Sequence, residues 1–128
     1  MVFVDTSVWI AFFRGGDAAL TRRLRALLDE DRVALAAPVW IELLSGAGRK
    51  DGPLLKSVLS ALPRFYPTRN TWKTLEAWTS KAGRKGQRFG AMDLLVAAIA
   101  RENEGKVWTL DSDFDRLAGL KLVSLVPR

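Results

Sequence analysis

Apolar residues follow two rhythms along the chain. Val2–Val4, Val33–Ala36, Val107–Leu110 and Leu122–Leu125 are short, nearly continuous apolar runs bounded by turn residues, and each predicts a buried strand. Between these runs the spacing becomes helical. Asp5, Thr6 and Ser7 supply cap chemistry for a helix over Val8–Arg14, stopped by Gly15 and Gly16. Asp17 predicts the cap of a second helix, through about Leu28. Its Leu20, Leu24, Leu27 and Leu28 share one face, and Arg22, Arg23 and Arg25 point mostly elsewhere. Pro38 suits the first turn of a third helix, ending near Ser45 and Gly46. A loop is expected over Gly46–Pro53, a helix over Leu54–Leu62 and a short extended piece over Arg64–Tyr66. The next helix runs from Asn70 to about Lys81, with Trp72, Leu75, Trp78 and Thr79 along one side. Lys81–Gly90 reads as a basic stretch punctuated by glycines, and Ala91 to about Glu102 as a helix. "DSDFDRLAG", from Asp111 to Gly119, reads as a turn leading into a short helix.

Short apolar strands alternating with helices predict an α/β fold, with a mainly parallel sheet of four to five short strands covered on both faces. Ligands of such sheets gather at the carboxyl ends of the strands. Asp5 and Asp111 each follow a predicted strand, so both acids are expected at one crevice. The length of 128 residues, without repeat, low-complexity tract or linker, predicts one domain over 1–128.

Composition narrows the chemistry. With no cysteine and no histidine, the chain has no disulfide, no thiolate metal site, no imidazole base and no serine–histidine triad. Any metal held here takes oxygen ligands, which points to magnesium or manganese. Twenty Lys and Arg against fourteen Asp and Glu leave a formal charge of +6, which favours polyanionic partners. "MVFVDTS" lacks the basic start of a secretory leader and no apolar run reaches membrane-spanning length. A cytoplasmic location with no membrane partner is therefore expected.

Four acids stand out, and each has an ordinary structural explanation. Asp5 also suits a cap. Glu42, inside the apolar "PVWIELLSG", also suits a snorkelled or salt-bridged glutamate on a helix with little solvated face. Asp93 opens "DLLVAAIA", where a first-turn acid is favoured by the helix dipole. Asp111 also suits a turn. Taken together they form a concentration of negative charge with no histidine or cysteine beside it. Such carboxylates either take up protons or bind a cation. A divalent cation gives them a use, activating water and stabilising charge on a phosphoryl group. Asp111, Asp113 and Asp115 imitate the opening of a calcium loop, but Arg116 and Leu122 occupy the positions that require glycine and glutamate. No glycine-rich nucleotide cradle is present.

The segments "FVDTSVWIAFF", "PVWIELLSG", "GAMDLLVAAIA" and "VWTLDSDFDRLAGLKLV", in that order over nearly the whole chain, resemble the PIN-domain ribonucleases. The resemblance is greatest to the VapC-like toxins of toxin–antitoxin pairs. It implies a three-layer α/β/α sandwich. It aligns Asp5, Glu42, Asp93 and Asp111 with the catalytic acids, and Asp113 with a further acid beside them. The metal ligands so implied are Asp5, Asp93, Asp111 and Asp113, holding one or two Mg²⁺ or Mn²⁺ ions. Thr6, Ser7 and Thr109 match supporting hydroxyl positions, Ser7 either capping the first helix or bonding an acid. The implied activity is metal-dependent cleavage of RNA by an activated water. The implied partners are a small neutralising antitoxin and a second copy in a homodimer.

Arg84, Lys85 and Arg88 precede the helix that carries Asp93 and are candidates for RNA phosphate contacts, against the alternative of a solvated loop. Most of Trp9, Phe12, Phe13, Trp72 and Trp78 are expected in the core. Two other readings remain open: a PIN-like domain that binds RNA or protein without cutting, and a phosphate-accepting receiver domain. The receiver reading lacks its paired N-terminal acid, since "MVFVD" offers one aspartate only.

Overall fold

Every residue of β1 (Val2–Val4) and β2 (Val33–Ala36) is buried. Successive side chains of a strand point to opposite faces, so helices must cover the sheet on both sides. The structure, a computed structural model, describes residues 1–46 and 52–127. Two further strands, β3 (Arg64–Phe65) and β4 (Lys106–Trp108), complete a four-stranded sheet of order β3-β2-β1-β4. All pairings are parallel, with Phe3 opposite Ala34 on one side and Val107 on the other. β1 is central. Its two neighbours belong to connections that leave in opposite directions, and in such sheets the place for a crevice is beyond the carboxyl ends of the strands, here β1 and β4.

Seven helices are described: α1 (Thr6–Arg14), α2 (Ala18–Asp29), α3 (Ala37–Gly46), α4 (Gly52–Leu59), α5 (Arg69–Arg84), α6 (Ala91–Glu102) and α7 (Asp113–Gly119). In α6 the run from Leu94 to Ala100 is buried without interruption. A helix that is apolar all round must lie inside, and α6 packs against α3, α5, β2 and β4. Its first turn therefore leaves a fixed core and delivers Asp93 to the crevice. Trp9 stacks on Phe13 with centroids 6.0 Å apart, and Phe3 meets Phe65 edge-on at 5.2 Å.

Several boundaries differ from the sequence reading, each for a physical reason. The helix expected to stop near Lys81 continues to Arg84 through Gly83, whose hydrogen position faces open space. Glycine weakens a helix without forbidding it, so Arg84 is helical and Lys85 is the cap rather than a loop residue. The buried side of α5 is Thr71, Leu75, Trp78 and Ala82. Trp72 is 51% exposed and stands off that side, so it is not a core aromatic. The expected strand at Leu122–Leu125 reduces to one parallel bridge between Leu125 and Val107. The expected loop over Gly46–Pro53 falls largely on residues 47–51, which lie outside the described residues.

Candidate metal centre

Asp5 is the N-cap residue of α1, yet its side chain makes no capping bond. Its Oδ2 accepts hydrogen bonds from Thr109 Oγ1 at 2.8 Å and Ser7 Oγ at 2.9 Å. These offset the cost of placing a carboxylate at 5% exposure. Ser7 Oγ in turn accepts the Leu110 N–H at 3.0 Å, and Thr109 Oγ1 accepts the Asp111 N–H at 2.9 Å. Two hydroxyls thus tie the end of β1 to the segment after β4. Ser7 bonds an acid and does not cap the helix, which decides between its two expected roles.

Asp111 Oδ1 accepts the Asp113 N–H at 2.9 Å and starts α7. From there Asp111 and Asp113 turn toward the first turn of α6. One carboxylate oxygen from each of Asp93, Asp111 and Asp113 lies within 4.8 Å of the others. Burial first, and then the negative charges of Asp111, Asp5, Asp113 and Glu42, push the Asp93 carboxyl up from 3.8 to about 6. All five acids therefore bear on one small volume. Their donors are carboxylate oxygens only, and that set fits a hard divalent cation of the Mg²⁺ or Mn²⁺ kind.

Glu42 is placed differently from the sequence expectation. It is exposed, and so is its neighbour Ile41 at 54%. The apolar α3 therefore has a solvated side, and Glu42 needs no buried partner. Thr6 Oγ1 donates to Glu42 Oε1 at 3.0 Å, which fixes its direction from the start of α1. Glu42 and Asp5 stand beside the close triplet, outside its mutual 4.8 Å reach.

Arg116 was not anticipated as part of this region. Its Nη2 lies 3.1 Å from Asp113 Oδ1 as an i,i+3 pair on α7, its guanidinium donates to the Arg88 carbonyl at 3.4 Å, and it sits over the Phe89 ring at 4.5 Å. The spacing of Asp113 and Arg116 is a sequence signal for the first contact. The other two depend on how the segment before α6 folds back. Arg88 is anchored here through its backbone, which leaves its side chain exposed.

Thr109→Val tests the hydroxyl tie. The change keeps side-chain volume but strips a buried bond from Asp5 and another from the Asp111 N–H. The expected cost is about 2 kcal/mol of stability and a loss of about 10- to 100-fold in metal affinity or activity. Thermal melts and a Mn²⁺ titration measure both.

The family model of the PIN domain matches residues 2–120. Ribonuclease VapC11 of Mycobacterium tuberculosis is 30% identical to this chain over 127 residues, covering 92% of each. A toxin–antitoxin complex from Klebsiella pneumoniae aligns at TM-score 0.78 and 17% identity, over 99% of this chain and 97% of that one. DNA-bound VapBC from Salmonella typhimurium aligns at TM-score 0.80 and 18% identity, over 98% of this chain and 96% of that one. At those identities the two solved structures bear on the fold alone, and their helix-covered parallel sheet is the architecture found here.

Proposed function

The chain belongs to the PIN-domain family, and on that premise we propose that it is a divalent-metal-dependent endoribonuclease, the toxin of a toxin–antitoxin pair. The observation that carries the reading is the meeting of Asp93, Asp111 and Asp113 within 4.8 Å, with Asp5 and Glu42 close enough to act on Asp93. Mutual repulsion of that kind is tolerated where a cation is to be held.

In this proposal Asp5, Asp93, Asp111 and Asp113 hold the ion. A bound divalent cation would supply an activated water and neutralise charge developing on the phosphate. The protein's own part is positioning. Ser7 and Thr109 bond Asp5 Oδ2 and hold the carboxylate in place, so Asp5 would offer a fixed oxygen to an ion. Asp111 Oδ1 is committed to the start of α7, which leaves its Oδ2 for the same task. Glu42, held through Oε1 by Thr6, keeps Oε2 to take a proton from the attacking water. Arg84, Lys85 and Arg88, all exposed near the start of α6, contact phosphates beside the cut. A small antitoxin as neutralising partner and a homodimeric state belong to the same reading. The ribonuclease part of the reading is supported by the relative Ribonuclease VapC11. No described helix is long and apolar enough to cross a membrane.

Purified protein incubated with total RNA tests the reading. Discrete fragments are expected with Mg²⁺ or Mn²⁺, and none with EDTA or in Asp5→Ala. Metal-independent fragments, or fragments that persist at the wild-type rate in folded Asp5→Ala, would count against it. A protein freed of any antitoxin that binds RNA and never cuts it would favour the binding-only reading.

A further inference from the structure

A second charged feature lies outside the acidic crevice. Lys81 and Arg84 on α5, Arg101 at the end of α6 and Lys121 after α7 line one open groove. Its one acid, Glu102, accepts a hydrogen bond from Thr71 Oγ1 at 2.8 Å. Among the described residues none of the four cations forms an ion pair; the two ion pairs are Arg32–Glu30 and Arg116–Asp113. Two of the four are instead held by backbone carbonyls. Arg101 Nη1 donates to Lys121 O at 2.7 Å, and Lys81 Nζ to Leu120 O at 3.5 Å. A carbonyl fixes a cation in place but does not neutralise it. Lys121 also sits at φ 62°, a conformation that costs a lysine about 1 kcal/mol and a glycine nothing.

We propose that this groove, through Lys81, Arg101 and Lys121, binds the phosphate backbone of RNA away from the cut, with Arg84 shared between it and the phosphate contacts beside the cut. The inference rests on the RNA-cutting reading above and extends it to a surface that the acids do not touch. Four cations drawn from three segments outnumber the one acid of the groove, Glu102, so the groove keeps a net positive charge that a polyanion relieves. A basic stretch of chain links the groove to the acidic site. Arg84 is the last residue of α5, and the chain then runs to Arg88, whose carbonyl is held by the arginine that pairs with Asp113. Along α6 the eight residues from Asp93 to Arg101 separate the two features by about 12 Å. A strand of RNA lying in the groove would therefore reach the acids only after further nucleotides.

An acidic protein segment is the competing occupant. Protein interfaces need large apolar anchors, and the large apolar residues lining this groove, Trp78 and Leu122, are buried. The exposed apolar side chains Ile10 and Leu54 line a different groove, beside Glu42. Phosphate contacts need charge and reach alone, so RNA is the better fit.

The test is binding of a fluorescein-labelled single-stranded 20-nucleotide RNA by full-length protein in EDTA, over a series of salt concentrations. Lys81→Gln/Lys121→Gln is compared with wild type, and Lys121→Gln alone serves if the double variant melts early. Each lost phosphate contact lowers the slope of log K against log salt by about 0.7, so the double variant should be shallower by about 1.4 and bind on the order of tenfold more weakly at about 0.1 M salt. In metal, cleavage of a substrate of about four nucleotides should be unchanged while kcat/KM on the long RNA falls. Wild-type affinity and slope in the double variant would overturn the proposal. So would a poly-glutamate 20-mer whose binding depends on these lysines while RNA binding does not. The binding arm holds no metal, so a protein that cuts no RNA but still shows the changed slope would refute the catalytic reading and leave the groove standing.

Discussion

Asp93→Asn is expected to abolish RNA cleavage and, in the same molecule, to raise the melting temperature of the metal-free protein. Asp93 carries a carboxyl pushed from 3.8 to about 6 by burial and by the charges of Asp111, Asp5, Asp113 and Glu42. A raised acid binds its proton more tightly in the folded state, so folding is favoured at low pH and loses stability as pH climbs from about 4 through 6. Above that window the ionised group costs the metal-free fold on the order of 2 kcal/mol, after discounting for its partial exposure. Asparagine removes the charge and keeps the shape. At neutral pH the variant should melt roughly 5–10 °C higher than wild type, and the difference should vanish below pH 4. Mn²⁺ should stabilise the wild type by mass action and leave the variant nearly unmoved. Cleavage should fall by about a thousandfold or more, equivalent to about 4 kcal/mol of lost transition-state stabilisation. Melts at several pH values, with and without Mn²⁺, measure the stability arm. An unchanged or lower melting temperature for the variant at pH 7 would show that the acids are not held in mutual repulsion.

Gly105→Ala should be the most damaging alanine substitution among the described glycines. Gly105 is buried between α6 and β4, and its N–H donates to the Ala100 carbonyl at 2.8 Å. A Cβ there would stand 2.5 and 2.6 Å from two ring carbons of Phe3 and 3.2 Å from the Met1 carbonyl. Phe3 is fully enclosed and set edge-on against Phe65, so its ring cannot swing away. The backbone of β1 or β4 has to shift, at a cost of about 3 kcal/mol, or roughly 10 °C in melting temperature. Since β1 ends at Asp5 and β4 leads to Thr109, the shift should also loosen the hydroxyl tie between them. Gly83→Ala is the matched control. Its added methyl meets nothing within 4 Å inside α5, so it should raise stability by up to about 1 kcal/mol. Equal melting temperatures for the two variants would contradict the packing described around Phe3.

The sequence carried β1, β2, α6 and the start of α7 because these segments have one strong pattern each and tertiary contacts do not compete with it. It also carried the crevice, since acids that follow parallel strands have one place to gather. What it did not carry depends on distance rather than on pattern. The apolar neighbours of Glu42 suggest a helix with little solvated face, but nothing local says that Ile41 faces water. Leu122–Leu125 has strand composition, yet only Leu125 finds a partner, at Val107. Gly83 looked like a stop because glycine often is one, whereas α5 continues with Ala82 buried just ahead of it. The three contacts of Arg116 join α7 to the Arg88–Phe89 segment. Only the contact to Asp113, three residues away, leaves a trace in spacing.

On the proposed function, Asp93, Asp111 and Asp113, with Asp5 beside them, hold a divalent cation. Crystals grown with Mn²⁺ and measured for anomalous scattering test it most directly. An anomalous peak is expected among these carboxylates and should be lost in Asp93→Asn. A saturating Mn²⁺ soak that leaves this position blank, or a peak that survives in Asp93→Asn, would contradict it.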